Sequence, residues 1–239
     1  MKIFIQALVF GAVVAFCIPH AVAKEKQEVS ILAFDALAEK NKQVELHCKV
    51  ERMNLLRSDI PHANVAVFVN DTLAGQAITD RQGVARVNYI PSTIGEHTIR
   101  FECAGGDDRD SAEASSILFC RNKSKPAIIV DIDQTISDIA LEKFLITKTK
   151  DIKPLPRSEE VLAELSNTFD LIFVTARDTH LLKRTKQWLA LNGFPRAPVF
   201  FRELGKDPIS ERKYKIERIA KLKETWTNIA YGIGDRCSD

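Results

Sequence analysis

Residues 127–138 read AIIVDIDQTISD. The aliphatic run Ala127-Ile128-Ile129-Val130 has no alternating polar position, which suits a strand buried on both faces of a parallel sheet. Asp131 and Asp133 follow at once, then Thr135. Acidic residues at the end of such a strand stand where open α/β sheets place their ligands. Two neighbouring carboxylates repel, and without a cation one takes up a proton. A divalent cation removes the conflict, and an oxygen-only donor set favours Mg²⁺. Taken alone, the pattern also fits a strand that ends in an acidic, solvated turn, so the rest of the chain has to decide.

After residue 126 the sequence alternates strand and helix signals, as a parallel sheet requires. Ser158–Leu165 opens with a capping residue and early acids and has helical spacing. Leu171–Val174 reads as a second buried strand. Thr179–Leu191 reads as a helix with Leu182, Thr185, Trp188 and Leu189 on one face, stopped by Gly193 and Pro195. Pro198–Phe201 is a third strand, Ser210–Thr225 a third helix and Ile229–Ile233 a fourth strand. Polar groups follow the strand ends: Asp131 and Asp133, then Thr175 and Arg177, then Asp235 and Asp239, with Lys215 at the start of the third helix. Carboxylates, a hydroxyl and an ammonium at one sheet edge suit phosphoryl transfer, where catalysis is mostly positioning and charge neutralisation. Each residue has a plain structural role open to it, as a helix cap, a solvated charge or a turn. Their joint occurrence in this order argues for a site.

Residues 28–121 read as β throughout. Val44–Val50 and Gly95–Cys103 alternate, Asn64–Val69 is a further run, and Ile78–Val87 reads as a hairpin turning at Asp80–Gly83. Short strands at this spacing predict an antiparallel sandwich. Thr79-Asp80 with Gly83-Val84-Ala85, and Gly95 with His97-Thr98-Ile99, resemble bacterial immunoglobulin-like domains. No Trp lies between Cys48 and Cys103, so the antibody-type core is not matched. His47, His62 and His97 lack metal-ligand spacing. Residues 122–126 form a polar linker ending in Pro126. The expected architecture is two domains, an all-β immunoglobulin-like sandwich and an α/β domain over 127–239.

Met1-Lys2, the apolar run from Ile3 to Ile18 and the small-x-small Ala21-Val22-Ala23 form an export signal, with cleavage expected after Ala23. That predicts an exported, periplasmic protein with no membrane span in the mature chain. An oxidising compartment makes disulfides an expectation among Cys48, Cys103, Cys120 and Cys237, with Cys48–Cys103 preferred because both lie in strands of one domain. Net charge is only +2 and no Lys/Arg block occurs, which argues against a nucleic-acid partner.

The α/β segment, residues 125–239, resembles the haloacid dehalogenase-like (HAD) hydrolases. The resemblance rests on Asp131-Ile132-Asp133-Gln134-Thr135, Val174-Thr175-Ala176-Arg177, Tyr214-Lys215-Ile216-Glu217 and Gly234-Asp235-Arg236-Cys237-Ser238-Asp239. Lys206, Lys213 and Lys221 compete with Lys215. Within that superfamily the phrasing is similar to the lipin-related phosphatidate phosphatase branch, departing from it at Gln134, where Gly is common, and at Asp235, where Asn is frequent. The resemblance implies Asp131 as nucleophile and Asp133 as general acid and base. It implies Thr175, Lys215 and Thr135 at the phosphate, and Mg²⁺ held by Asp131, the Asp133 carbonyl and Asp235 with Asp239 nearby. No cap domain fits between the motifs, and an open site suits a bulky phosphate or a lipid, the latter with peripheral membrane contact. The chain stops inside the last motif, where the family continues, so a C-terminally truncated domain is expected. Two alternatives compete. One is an exported binding or adhesion protein with a degenerate HAD domain. The other is a phospho-acceptor receiver, which the export signal disfavours.

Overall fold

The computed structural model describes residues 26–53 and 57–235. Eight strands come first: β1 (Val29–Ala33), β2 (Ala36–Glu39), β3 (Val44–Arg52), β4 (Asn64–Val69), β5 (Thr72–Ile78), β6 (Val84–Tyr89), β7 (Gly95–Cys103) and β8 (Ala112–Arg121). They form a three-stranded antiparallel sheet, β1-β3-β6, and a five-stranded sheet, β2-β8-β7-β4-β5, in which only β2 and β8 run parallel. Inward positions of both sheets meet in one core that includes Leu46, Cys48, Val50, Val67, Phe101 and Leu118. Burying each such aliphatic or aromatic side chain contributes about 1.5–3 kcal/mol.

Two turns set the order of these strands. Asn70 and Asp71 both have positive φ, 62° at Asp71 and 47° at Asn70, and link β4 to β5 as a two-residue hairpin. The hairpin expected at Asp80–Gly83 is only half present. Its turn closes, with the Gly83 amide donating to the Asp80 carbonyl and Asp80 Oδ1 accepting from the Gln82 and Val84 amides. The flanking strands then part, β5 to β4 and β6 to β3. Gly83 is needed there. Its φ is 72°, and a Cβ would stand 2.5 Å from the Val50 carbonyl oxygen.

The second half contains β9 (Ala127–Val130), α1 (Leu141–Ile146), α2 (Ser158–Thr168), β10 (Asp170–Asp178), α3 (Leu182–Leu191), β11 (Val199–Arg202), α4 (Glu211–Thr225) and β12 (Ile229–Ile233). The sheet order is β11-β10-β9-β12 and every pair is parallel. Ile128 and Val130 pack on one face with Phe144, Leu162 and Trp188. Ala127 and Ile129 pack on the other with Tyr214, Leu222 and Trp226. Both faces are therefore covered, which is why the strand needs an unbroken aliphatic run. Ser158 does not cap α2. The cap position is Arg157, in the left-handed region at φ 65°, and the Ser158 hydroxyl donates to the Leu155 and Ile136 carbonyls.

Asp35, between β1 and β2, ties the two halves together. Its buried carboxylate accepts from the Ile117 amide of β8, the Val199 amide of β11 and the Lys186 ammonium of α3. The Cys48–Cys103 bond is not formed: Cys48, Cys103 and Cys120 are free, buried thiols. Burial, with the neighbouring Cys103, pushes the Cys48 thiol up to about 12. Cys237, Asp239 and the export signal lie outside the described residues. Among the described residues no helix is long and apolar enough to cross a membrane.

Candidate active site

The chain runs from β9 to β10 and β11 on one side, then crosses to β12 on the other. That reversal opens a crevice beyond the carboxyl ends of β9 and β12, the place where open α/β sheets bind ligands. A cleft of about 40 Å³ occupies it, lined among others by Asp131, Asp133, Lys215, Asp235 and Glu211. Asp131 is held in place by its amide, which donates to the Ile233 carbonyl of β12. Residues far apart in sequence, from β9, α4 and the end of β12, therefore face one space.

Asp131 is buried, with only 4% of the residue exposed, yet its carboxylate is well supported. Lys215 Nζ lies 3.0 Å from its Oδ1, and the Thr135 hydroxyl donates to its Oδ2 at 3.3 Å. Lys215 is buried as well, so water screens this pair little. Of the four candidate lysines, Lys215 reaches Asp131, whereas Lys206 pairs with Glu203 and Lys213 with Glu217. Beside Lys215, Tyr214 is buried, and its phenol is pushed up to about 12 by that burial.

Asp133 is gripped from one side. Arg177 Nη2 donates to its Oδ1 at 2.8 Å, and Nε lies 3.1 Å from each carboxylate oxygen. The Thr175 hydroxyl donates to Oδ2 at 3.4 Å and accepts from the Arg177 amide. Thr175 is wholly buried and is directed at Asp133, while its neighbour Ala176 lines the cleft. At Gln134 the backbone is left-handed, φ 58°, which accounts for the Gly common at this position in the related pattern.

The donors facing the cleft suit Mg²⁺. The Asp131 and Asp235 carboxylates line it, and no histidine or cysteine is among its lining residues. Among the described residues no cluster of three or more His, Cys, Asp or Glu side chains has metal-holding geometry. The expected set needs only two carboxylates and the Asp133 carbonyl, so it does not depend on such a cluster. Asp239, the further expected contributor, lies outside the described residues.

Two residues escaped the sequence reading. Arg177 stood in the second motif without a role, and nothing in its local sequence marks Asp133 as its partner. Glu211 lines the cleft at the first turn of α4, and nothing in its local sequence marks it. His47, His62 and His97 stand apart from the cleft: His97 bonds Asn70 and the Thr93 carbonyl, and His47 stacks on Phe34.

The family model described as "PITM 1-3, LNS2 domain" matches residues 128–237, the α/β part of the chain. That part of the chain is similar to the LNS2 domain, in agreement with the lipin-related resemblance of the motifs. No curated protein matches the chain. Among solved structures, the fibronectin(III)-like modules of Clostridium thermocellum CbhA are 16% identical, with 40% of this chain and 95% of that chain covered at a TM-score of 0.27. The CARDB domain of the PF1109 protein from Pyrococcus furiosus is also 16% identical, with 39% of this chain and 85% of that chain covered at a TM-score of 0.25. Bacteroides uniformis beta-glucuronidase is 12% identical, with 46% of this chain and 12% of that chain covered at a TM-score of 0.27.

Proposed function

We propose that the protein is an exported, Mg²⁺-dependent phosphatase that hydrolyses phosphate monoesters through an aspartyl-phosphate. The observation that carries this is the buried pairing of Asp131 with Lys215 at the sheet crevice shared with Asp133 and Asp235. Asp131 presents an oxygen to the cleft, and the Lys215 ammonium beside it adds positive charge where an anionic phosphoryl group arrives. Mg²⁺, held by Asp131, the Asp133 carbonyl and Asp235, would supply further neutralisation of the phosphoryl oxygens.

In the first step an Asp131 oxygen bonds to phosphorus and the ester P–O bond breaks. The leaving oxygen takes a proton from Asp133. In the second step water attacks phosphorus, its proton passes to Asp133, and the P–O bond to Asp131 breaks to release phosphate. Thr135 keeps the Asp131 carboxylate oriented throughout. Thr175, expected at the phosphate, acts in this structure by holding Asp133.

The segment between β9 and β10 contains α1, a 3-10 turn and α2, with nothing the size of a cap domain. An uncovered cleft admits a phosphate on a bulky or lipid carrier, which is the substrate class we propose, with peripheral contact to a membrane for a lipid. The sandwich is proposed as an immunoglobulin-like domain separate from the α/β domain. The test is phosphate release from phosphatidate vesicles, nucleotides, sugar phosphates and phosphopeptides, with and without Mg²⁺. Mg²⁺-dependent release that Asp131→Asn abolishes is expected. Absence of any Mg²⁺-dependent release would favour the binding or adhesion reading.

A further inference from the structure

We infer that Arg177 is the positioning residue for Asp133, holding its carboxylate in the plane and place that proton transfer to the leaving oxygen needs. The inference rests on the phosphatase reading above.

Arg177 is completely buried, while the Asp133 side chain is 19% exposed and lines the cleft. The guanidinium engages both carboxylate oxygens. A fork on both oxygens fixes the rotation of the carboxylate as well as its distance. Every other side of the guanidinium is constrained too. Nη1 donates to the Thr185 hydroxyl of α3 at 3.2 Å, and the Phe144 ring of α1 lies 3.6 Å away. Trp188 stands on a further side at 5.9 Å.

Burying a guanidinium is costly, and a buried ion pair is weak evidence of net stabilisation. An apolar residue would fill this space among Phe144, Trp188 and Thr185 at less cost. What it could not do is aim Asp133. The fork therefore answers a geometric requirement at the cleft rather than a packing one. It also reaches α1, whose start lines the same cleft through Ala140, Leu141 and Glu142.

The experiment compares an aryl phosphate with an alkyl phosphate, 4-nitrophenyl phosphate and glycerol phosphate, across wild type, Arg177→Lys, Arg177→Met and Asp133→Asn. A nitrophenolate leaves with little help, whereas an alkoxide needs a proton. General acid catalysis is worth roughly 10²–10⁴-fold, so both Arg177 variants should lose about 10²-fold or more on the alkyl ester and less than about tenfold on the aryl ester. Equal losses on the two esters would overturn the inference. If wild type hydrolyses neither ester with Mg²⁺, the phosphatase reading fails, and the clamp is then judged by thermal unfolding without metal. There the Arg177→Lys, Asp133→Asn double variant should melt no lower than the worse single variant, because the two residues act as one unit. Strictly additive losses would overturn it.

Discussion

At the scale of single residues, the site depends on which side chain holds which. Lys215 competed with three other lysines in the sequence, and the fold singles it out because α4 begins at the crevice where β9 ends. Replacing it with Met removes the charge beside Asp131 but keeps the bulk. Loss of one positioned electrostatic group should lower kcat by roughly 10²–10³-fold, read in steady-state kinetics. Asp178 gives a second prediction. Burial raises its pKa, but the His180 and Leu204 amides and the His180 ring outweigh that and hold the carboxyl below its usual range. A lowered folded pKa means that its stabilisation is fully present above the unfolded value near 3.9 and is lost as pH falls through the folded value. Asp178→Asn should therefore flatten the acid limb of a stability–pH profile measured by urea unfolding and leave neutral-pH stability less than wild type. Asp131, Asp133 and Asp235, which line one cleft, were singled out from sequence as candidates. Arg177 was not, because its importance lies in the Asp133 carboxylate 44 residues earlier, and no local pattern encodes that contact.

At the scale of elements, period and punctuation gave the strands and the three longer helices of the α/β half. The buried face expected for the second helix, Leu182, Thr185, Trp188 and Leu189, is the buried set of α3. The parallel sheet is present, with both faces covered. The short helix α1 was missed because six residues give too little period to read. It nonetheless matters, since Phe144 is fully buried against Arg177. Phe144→Ala should cost about 3–5 kcal/mol of stability by denaturant titration, the range for emptying a buried aromatic site. In the β half, β3, β4, β6 and β7 were readable, but β1, β2 and β5 were not singled out, and the sheets were not readable. Asp80–Gly83 makes its turn, yet β5 and β6 join different sheets, a choice set by which long-range partner each strand finds. The preferred Cys48–Cys103 bond is not formed, and Cys237, the fourth cysteine of the expectation, lies outside the described residues. Sharing one β region does not by itself place two sulfurs at bonding geometry.

At the scale of the whole molecule, Asp35 stands where the sandwich meets the parallel sheet and accepts from three elements at once. Asp35→Ala would leave a buried amide, a half-buried amide and an ammonium without that acceptor. Breaking a buried pair in this way costs about 3–5 kcal/mol. In urea, wild type should unfold in one transition by all probes, and the variant should show the two halves losing structure at different concentrations. A variant that still unfolds in a single coincident transition would show that Asp35 does not couple them. The sequence carried no sign of this joint, since Asp35 reads as an ordinary loop acid between two short strands.

The central claim is that Asp131 accepts the phosphoryl group. The direct measurement is acid quenching of the full chain during turnover of a phosphate monoester with Mg²⁺, followed by mass spectrometry of its peptides. The account predicts one phosphoryl group on the peptide bearing Asp131, absent without Mg²⁺ and absent in Asp131→Asn. Mg²⁺-dependent turnover with no labelled peptide, or turnover that survives Asp131→Asn, would contradict it.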